Sequence, residues 1–204
     1  MAIALTGSNM AQLFSLISPF LLGFFIFMSS LFNLNIKGII YLGGILIAAL
    51  INAFLMGTIK EPLPDPRNAS IACGLVNTDY WKFYGTPSPS GVFISFTIAY
   101  LVLPLYYNDQ MNYVLLISLL SLLFIDIIAK TYNGCTSYVG AALGCLVGFI
   151  LGSAWYSLFK AAGYESLVYF NEMNSNKVMC SRPSKQTFKC SVYKHGELIS
   201  SNTV

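Results

Sequence analysis

Long apolar stretches separated by short polar segments dominate the chain. Five of them have about the length that an α-helix needs to cross a bilayer, roughly 20 residues. They cover residues 14–32, 36–56, 92–107, 113–128 and 138–159. Because backbone groups in lipid must form hydrogen bonds within their own segment, this pattern predicts helices. The sequence therefore predicts an all-α membrane protein, with a five-span helical bundle in residues 1–162.

Two polar regions stand apart from the spans. The loop 58–90 holds five of the eight prolines. The C-terminal tail, residues 163–204, contains three short segments with strand propensity, 178–181, 187–193 and 197–200, separated by turn residues. A β-meander this small needs support from the membrane surface or from a partner protein. We therefore expect the tail to form an interaction surface.

The composition agrees with a chain that is solvated mostly by lipid. Charged residues make up 9% and hydrophobic residues 56% of the sequence, whereas a soluble domain has roughly 25% charged residues. The net charge of +3, without a basic run interleaved with aromatic residues, predicts no nucleic-acid binding. Cys180, Cys190 and His195 lack the paired spacing of a metal site. We expect neither a metal nor another cofactor.

An odd number of spans predicts that the two ends of the chain lie on opposite sides of the membrane. The loops 58–90 and 129–137 then share one side, and the tail lies on the other. Seven of the eleven basic residues belong to the tail side. Since basic residues concentrate on the cytoplasmic side, we predict a cytoplasmic tail and an extracytoplasmic or lumenal loop 58–90.

Two features of the outer side agree with this orientation. Asn68-Ala-Ser70 is a sequon for N-glycosylation. Cys73 and Cys135 would both face an oxidising compartment, where they can form a disulfide.

The fifth span carries a stripe of glycines at every fourth position, Gly140, Gly144, Gly148 and Gly152. Small residues with this spacing let another helix approach closely. Spans three and four of the same chain can supply that helix, and so can a second copy in an oligomer.

Asp126 is an ionisable residue near the end of the fourth span. Such residues inside a membrane are functional candidates by default. Lys130 follows one helical turn later, so a local ion pair is the alternative interpretation.

Three motifs occupy the predicted outer side. Lys60 and Arg67 are separated by six residues, Pro89-Ser90-Gly91 begins the third span, and the segment 131–145 leads into the last span. An arginine fork suits phosphate oxygens, and a hydroxyl with backbone N–H groups at a helix N-terminus favours an anion. The candidates for binding a phosphate or a lipid headgroup are Lys60, Arg67, Ser90 and Gly91.

The order of these motifs resembles the type 2 phosphatidic acid phosphatase superfamily. These membrane enzymes dephosphorylate lipid phosphates and isoprenyl pyrophosphates. The resemblance covers roughly residues 36–160 and implies a phosphatase-like bundle with one span fewer than the usual six. It also implies that Lys60 and Arg67 bind phosphate and that Ser90 and Gly91 cradle it.

The chain departs from the family at the catalytic positions. Val92 stands where the family has a histidine as general acid, and Ala141 or Ala142 stands where it has the nucleophilic histidine. The single histidine, His195, lies in the tail, which is predicted to be across the membrane from the motifs. The resemblance therefore implies a pseudoenzyme, a non-catalytic scaffold or assembly protein that binds lipid headgroups.

Degenerate proteins of this kind occur in the internal membranes of large double-stranded DNA viruses. The resemblance thus suggests a virion membrane as one setting, with membrane or capsid proteins as partners of the tail.

Two other functions stay open at this point. One is an active phosphatase or transferase with rearranged chemistry, which would use Cys135, Asp126 or a metal. The other is a transporter-like subunit with polar residues along a path through the membrane. Spans one and two offer little beyond Asn52 for such a path.

We predict that the purified protein does not hydrolyse phosphatidic acid, because apolar residues replace both catalytic histidines. Phosphate release from phosphatidic acid in mixed micelles should equal that of a heat-denatured sample. Hydrolysis by the wild type that is lost in Lys60→Ala would contradict this prediction.

Overall fold

The computed structural model describes residues 7–62, 73, 84–168, 189–194 and 197–203. Within them lie five long helices: α1 (Gly7–Phe32), α2 (Lys37–Ile59), α3 (Pro89–Tyr107), α4 (Tyr113–Tyr132) and α5 (Tyr138–Ala161). All five are long and apolar enough to cross a membrane. This confirms the predicted five-span helical bundle, which fits an integral membrane protein.

Local sequence explains where three of the helices begin. α3 begins at Pro89. Proline suits the first helical turn because the N–H group that it lacks would have no acceptor within the helix. α4 begins after Asn112, whose side chain accepts a hydrogen bond from the Leu115 N–H at 3.1 Å. Ser137 caps α5 in the same way through the Gly140 N–H at 2.9 Å. These are residue types that cap helices well.

The third helix is the centre of the bundle. About 67% of the α3 span is buried, against 39% or less for every other span. Its buried side chains pack with Tyr41 of α2 and Tyr156 of α5 in one hydrophobic core. Consequently α3 is the helix against which the other elements are positioned.

The glycine stripe of α5 faces α3 and the segment that leads into it. A Cβ atom at Gly144 would lie 2.7 Å from the carbonyl oxygen of Ser88, and one at Gly152 would lie 2.6 Å from that of Phe96. Gly148 lies against the backbone of Val92 in the same way. Packing within the chain is therefore the role of this stripe. The oligomer seam suggested by the same glycines is already occupied by α3.

The bundle continues beyond the predicted boundary at residue 162. A short 3-10 helix spans Glu165–Leu167, and the Tyr156 hydroxyl donates a hydrogen bond to Oε1 of Glu165 at 2.6 Å. Val168 is fully buried in the core. The division into two compact units accordingly falls after Phe170.

The second unit, Asn171–Val204, contains an antiparallel hairpin. Its strands are β1 (Lys189–Lys194) and β2 (Glu197–Thr203). They match two of the three segments with predicted strand propensity. The first predicted segment, 178–181, lies outside the described residues.

A methyl group on the glycine stripe should separate α3 from α5. We predict that Gly148→Ala lowers the free energy of unfolding by about 1–3 kcal/mol, the usual cost of overpacking, because the new Cβ would meet backbone atoms of Val92. Gly43→Ala in α2 is the matched control, since nothing lies within 4 Å of its added Cβ. Thermal unfolding in detergent measures both. Equal loss of stability in the two variants would contradict the packing role.

Candidate functional site

A cavity of about 290 Å³ lies among α1, α2 and the start of α3. It is at the end of the bundle where α2 and α4 end and where α3 and α5 begin. Lys130 of α4 and the Cys73–Cys135 pair complete its wall. Its polar lining comprises Ser15, Asn52, Ser88, Ser90 and Lys130.

Beside this cavity, the carboxyl group of Asp126 connects three helices. Its two oxygens accept hydrogen bonds from the hydroxyls of Ser15 in α1 and Ser90 in α3, each at 2.6 Å. The side chain is 1% exposed, and burial of a carboxyl group is costly unless it is hydrogen-bonded. The serine hydroxyls meet this requirement, in place of the direct pair with Lys130 that the helical spacing allowed.

A proline in α1 shapes the backbone next to this group. Pro19 has no N–H, so the carbonyl oxygen of Ser15 loses its usual helical partner. The Ser18 hydroxyl lies 3.4 Å from that oxygen and replaces the missing donor weakly. Pro19 itself lines the cavity. The Ser15–Pro19 segment thus places a serine hydroxyl on Asp126 and a kink-prone turn at the cavity wall.

Lys130 is a buried lysine at the edge of the cavity. Its Nζ donates a hydrogen bond to the carbonyl oxygen of Cys73 at 3.3 Å, and a disulfide joins Cys73 to Cys135. This is the pairing that we expected from the common side of the two cysteines. The disulfide keeps the Cys73 carbonyl next to Lys130, and it leaves Cys135 without the thiol that a nucleophile would need.

Asn52 is the polar residue of α2 in the cavity wall. Its side chain is 2% exposed, and its Nδ2 atom lies 3.5 Å from both the Met56 sulfur and the Pro87 carbonyl oxygen. Its Oδ1 atom has no hydrogen-bond partner among the described residues. Leaving a buried acceptor unpaired costs roughly 1–3 kcal/mol. Asn52 therefore carries a buried oxygen that lacks a donor among the described residues and is shielded from the cavity itself.

Of the four predicted headgroup candidates, Ser90 alone is shown to reach the cavity. Lys60 is exposed at the C-terminus of α2, with a positive φ of 49°, and does not line the cavity. Gly91 is buried against α5, where an added Cβ would lie 3.6 Å from the Ala141 carbonyl oxygen. Arg67 lies outside the described residues, as does Asn68.

The positions of the two family histidines do not meet in this cavity. Val92 lines it with an apolar side chain. Ala141 is buried beneath Gly91, and Ala142 lines a different, apolar groove between α3, α4 and α5. His195 lies outside the described residues.

Sequence reasoning singled out Asp126 and missed its two partners, and it gave Asn52 and Lys130 no binding role. For Asn52 and Lys130, the signal in the sequence is a polar residue within an apolar helix, which marks a functional candidate. The distances along the chain explain the miss, because Ser15 and Asp126 are 111 residues apart.

The chain matches no protein-family model, and no curated protein or solved structure shows significant similarity to it. The resemblance to lipid phosphatases therefore rests on the motifs quoted above. The pseudoenzyme interpretation, the virion setting and the partners of the tail stay predictions.

Removing the buried carboxyl group should destabilise the bundle. We predict that Asp126→Ala lowers the free energy of unfolding by about 1–3 kcal/mol, because it leaves two buried hydroxyls without their acceptor. Asp126→Asn keeps one acceptor oxygen and should lose less. Ser121→Ala is the control on the same helix, since its exposed hydroxyl bonds to a carbonyl of α4 itself. Thermal unfolding in detergent tests this, and unchanged stability in Asp126→Ala would contradict it.

Proposed function

We propose that this protein is a non-catalytic membrane scaffold that binds a phospholipid headgroup in the cavity among α1, α2 and α3. One observation carries the proposal: the cavity joins buried polar groups to the lipid-facing surface. Asn52 and Lys130 are buried in its wall, whereas Phe20 of α1 and Ala49 of α2 line it and are exposed on the outside of the bundle.

The size of the cavity supports a headgroup as the occupant. Its volume of about 290 Å³ is just below the range for small-molecule pockets, roughly 300–1,000 Å³. A headgroup fits this space, and a whole phospholipid does not. The acyl chains would then follow the exposed apolar surface beside Phe20, which lipid covers in any case.

The chemistry of one cavity wall suits a phosphate. Lys130 offers an ammonium group, and α3 begins at Pro89 in the same wall. The side chain of Ser88, the N-cap residue, does not cap a backbone N–H of α3 and instead lies 3.3 Å from the Ser90 hydroxyl. Since N–H groups of a first helical turn point toward the N-terminus and lack helical partners, they and Lys130 can bind phosphate oxygens.

Several contacts favour binding over catalysis or transport. The described residues that line the cavity include no histidine, and the sulfur of Cys135 belongs to a disulfide. Toward the middle of the bundle, Tyr41, Phe96 and Tyr100 pack together with ring centroids 5.4–6.3 Å apart. This aromatic cluster argues against a polar path through the bundle.

The disulfide also supports the predicted orientation. Disulfides persist in oxidising compartments, so we propose that the cavity faces the extracytoplasmic or lumenal side. A lipid bound there would come from the outer or lumenal leaflet.

Native mass spectrometry of the detergent-purified protein tests the site. We predict that the wild type retains phospholipid and that Lys130→Met weakens binding about tenfold, since a hydrogen bond to a charged group contributes roughly 1.5 kcal/mol. Lys60→Met removes the same charge at the same end of the bundle but outside the cavity, and should bind like the wild type. Circular dichroism should verify that both variants are folded.

Two results would overturn the proposal. One is a wild type that retains no phospholipid from mixed micelles. The other is a loss of binding in Lys60→Met without a loss in Lys130→Met, which would favour the phosphatase-like motif as the site.

A further inference from the structure

A second depression in the bundle lies between α4 and α5, with α3 as its floor, and it shares no lining residue with the headgroup cavity. Its volume is about 860 Å³, and α4 and α5 make few direct contacts with each other. The floor residues Ser95, Ile98 and Ala99 are at most 7% exposed, whereas Leu120 and Leu146 on the two rims are 37% and 57% exposed. This α4–α5 groove therefore opens onto the outer surface of the bundle.

The lining of the α4–α5 groove suits hydrocarbon. None of the described residues that line it is charged. Tyr106 stands at one end, and the other polar side chains of the lining are Ser95 and Cys145, which form a hydrogen bond with each other. Their polar atoms are thus paired within the wall, and the groove presents mainly aliphatic and aromatic carbon to a ligand.

The surroundings of the groove limit what can fill it. All three helices that form it are long and apolar enough to cross a membrane, so the groove faces lipid. Water does not fill it, because an ordered buried water needs about two to four polar partners. An empty groove would forfeit dispersion contacts along its whole wall. The remaining occupants are a lipid chain and an apolar helix of another protein.

The size of the groove distinguishes these two occupants. Along α3 the lining runs from Ser95 to Tyr106, which is about 16 Å at the helical rise of about 1.5 Å per residue. An α-helix of that length, at least about 10 Å wide with its side chains, occupies roughly 1,300 Å³. The groove of about 860 Å³ is too small for it. An acyl chain is much thinner than a helix and fits.

We infer that the α4–α5 groove binds an acyl chain of a membrane lipid against the buried floor of α3. The chain is recognised by shape and by apolar contact, so any lipid with a suitable chain can supply it. It fills the space between α4 and α5, where direct contacts between the two helices are few. This site is separate from the proposed headgroup cavity and does not depend on it.

Photo-crosslinking of the full-length protein in phosphatidylcholine vesicles tests the inference. The probe is phosphatidylcholine with a diazirine in its acyl chain, and tandem mass spectrometry locates the label. We expect label on Ser95, Ile98 and Ala99, because these side chains are buried from the lipid around the bundle and face the groove. A probe with the diazirine on the choline group should leave them unlabelled.

Two double variants provide a matched comparison. Leu120→Trp with Ala142→Trp places an indole on each side wall of the groove, so the floor label should be lost. Ile117→Trp with Ala154→Trp is the control, since both residues are exposed on the same two helices outside the lining, and its floor label should equal that of the wild type. Should the variants fail to fold, the two probes on the wild type decide the matter.

Three outcomes overturn the inference. The first is a wild type whose floor takes no label from the acyl-chain probe; a dimer seen by native mass spectrometry in that case would show that a second copy covers the groove. The second is equal floor label from the headgroup probe. The third is floor label that persists in the folded variant with both walls filled. Lys130→Met should keep the floor label, so failure of the headgroup site is distinguished from failure of the groove.

Discussion

The close approach of α5 to α3 is the contact on which the rest of the bundle depends. Glycines at every fourth position of α5 let the backbone of Ser88, Val92 and Phe96 lie where side chains would otherwise be. The Ser88 N–H also donates to the Gly140 carbonyl oxygen at 3.0 Å. This contact fixes the start of α3, and the start of α3 forms one wall of the cavity.

Hydrogen bonds between helices supply what the hydrophobic effect cannot supply in lipid. Lipid tails are as apolar as the helix surfaces, so association depends on close packing and on buried polar contacts. Asp126 joins α4 to α1 through Ser15 and to α3 through Ser90. Tyr41 joins α2 to α3 through the hydroxyl of Thr97 at 2.7 Å. Each peripheral helix α1, α2 and α4 thus has a polar attachment in the bundle.

The cavity wall differs from these attachments because it contains one buried polar atom without a partner among the described residues. The carboxyl group of Asp126 is satisfied by two donors, whereas Oδ1 of Asn52 has none among the described residues. A buried polar group whose hydrogen bonds are all made, such as the Asp126 carboxyl group, avoids the free-energy cost of an unpaired acceptor. In the proposed function, the headgroup binds at Lys130 and the start of α3, which line the cavity.

The sequence by itself determined the five spans, two strand segments of the tail and the face of α5 that carries glycines. These features can be predicted from the sequence because they depend on local periodicity and on residues close together along the chain. The tertiary structure decided which helix covers the glycines, where the Ser90 hydroxyl points and that Gly91 packs against α5.

The same difference between local and tertiary information explains why the cavity could not be predicted from the sequence. Its residues come from α1, α2, the start of α3 and α4, and no local pattern relates Ser15 to Asp126 or Asn52 to Lys130. A motif such as Pro89-Ser90-Gly91 predicts a helix start, but its chemistry depends on the neighbours that packing provides. Because apolar helix faces resemble one another in sequence, only the packed bundle determines which faces meet.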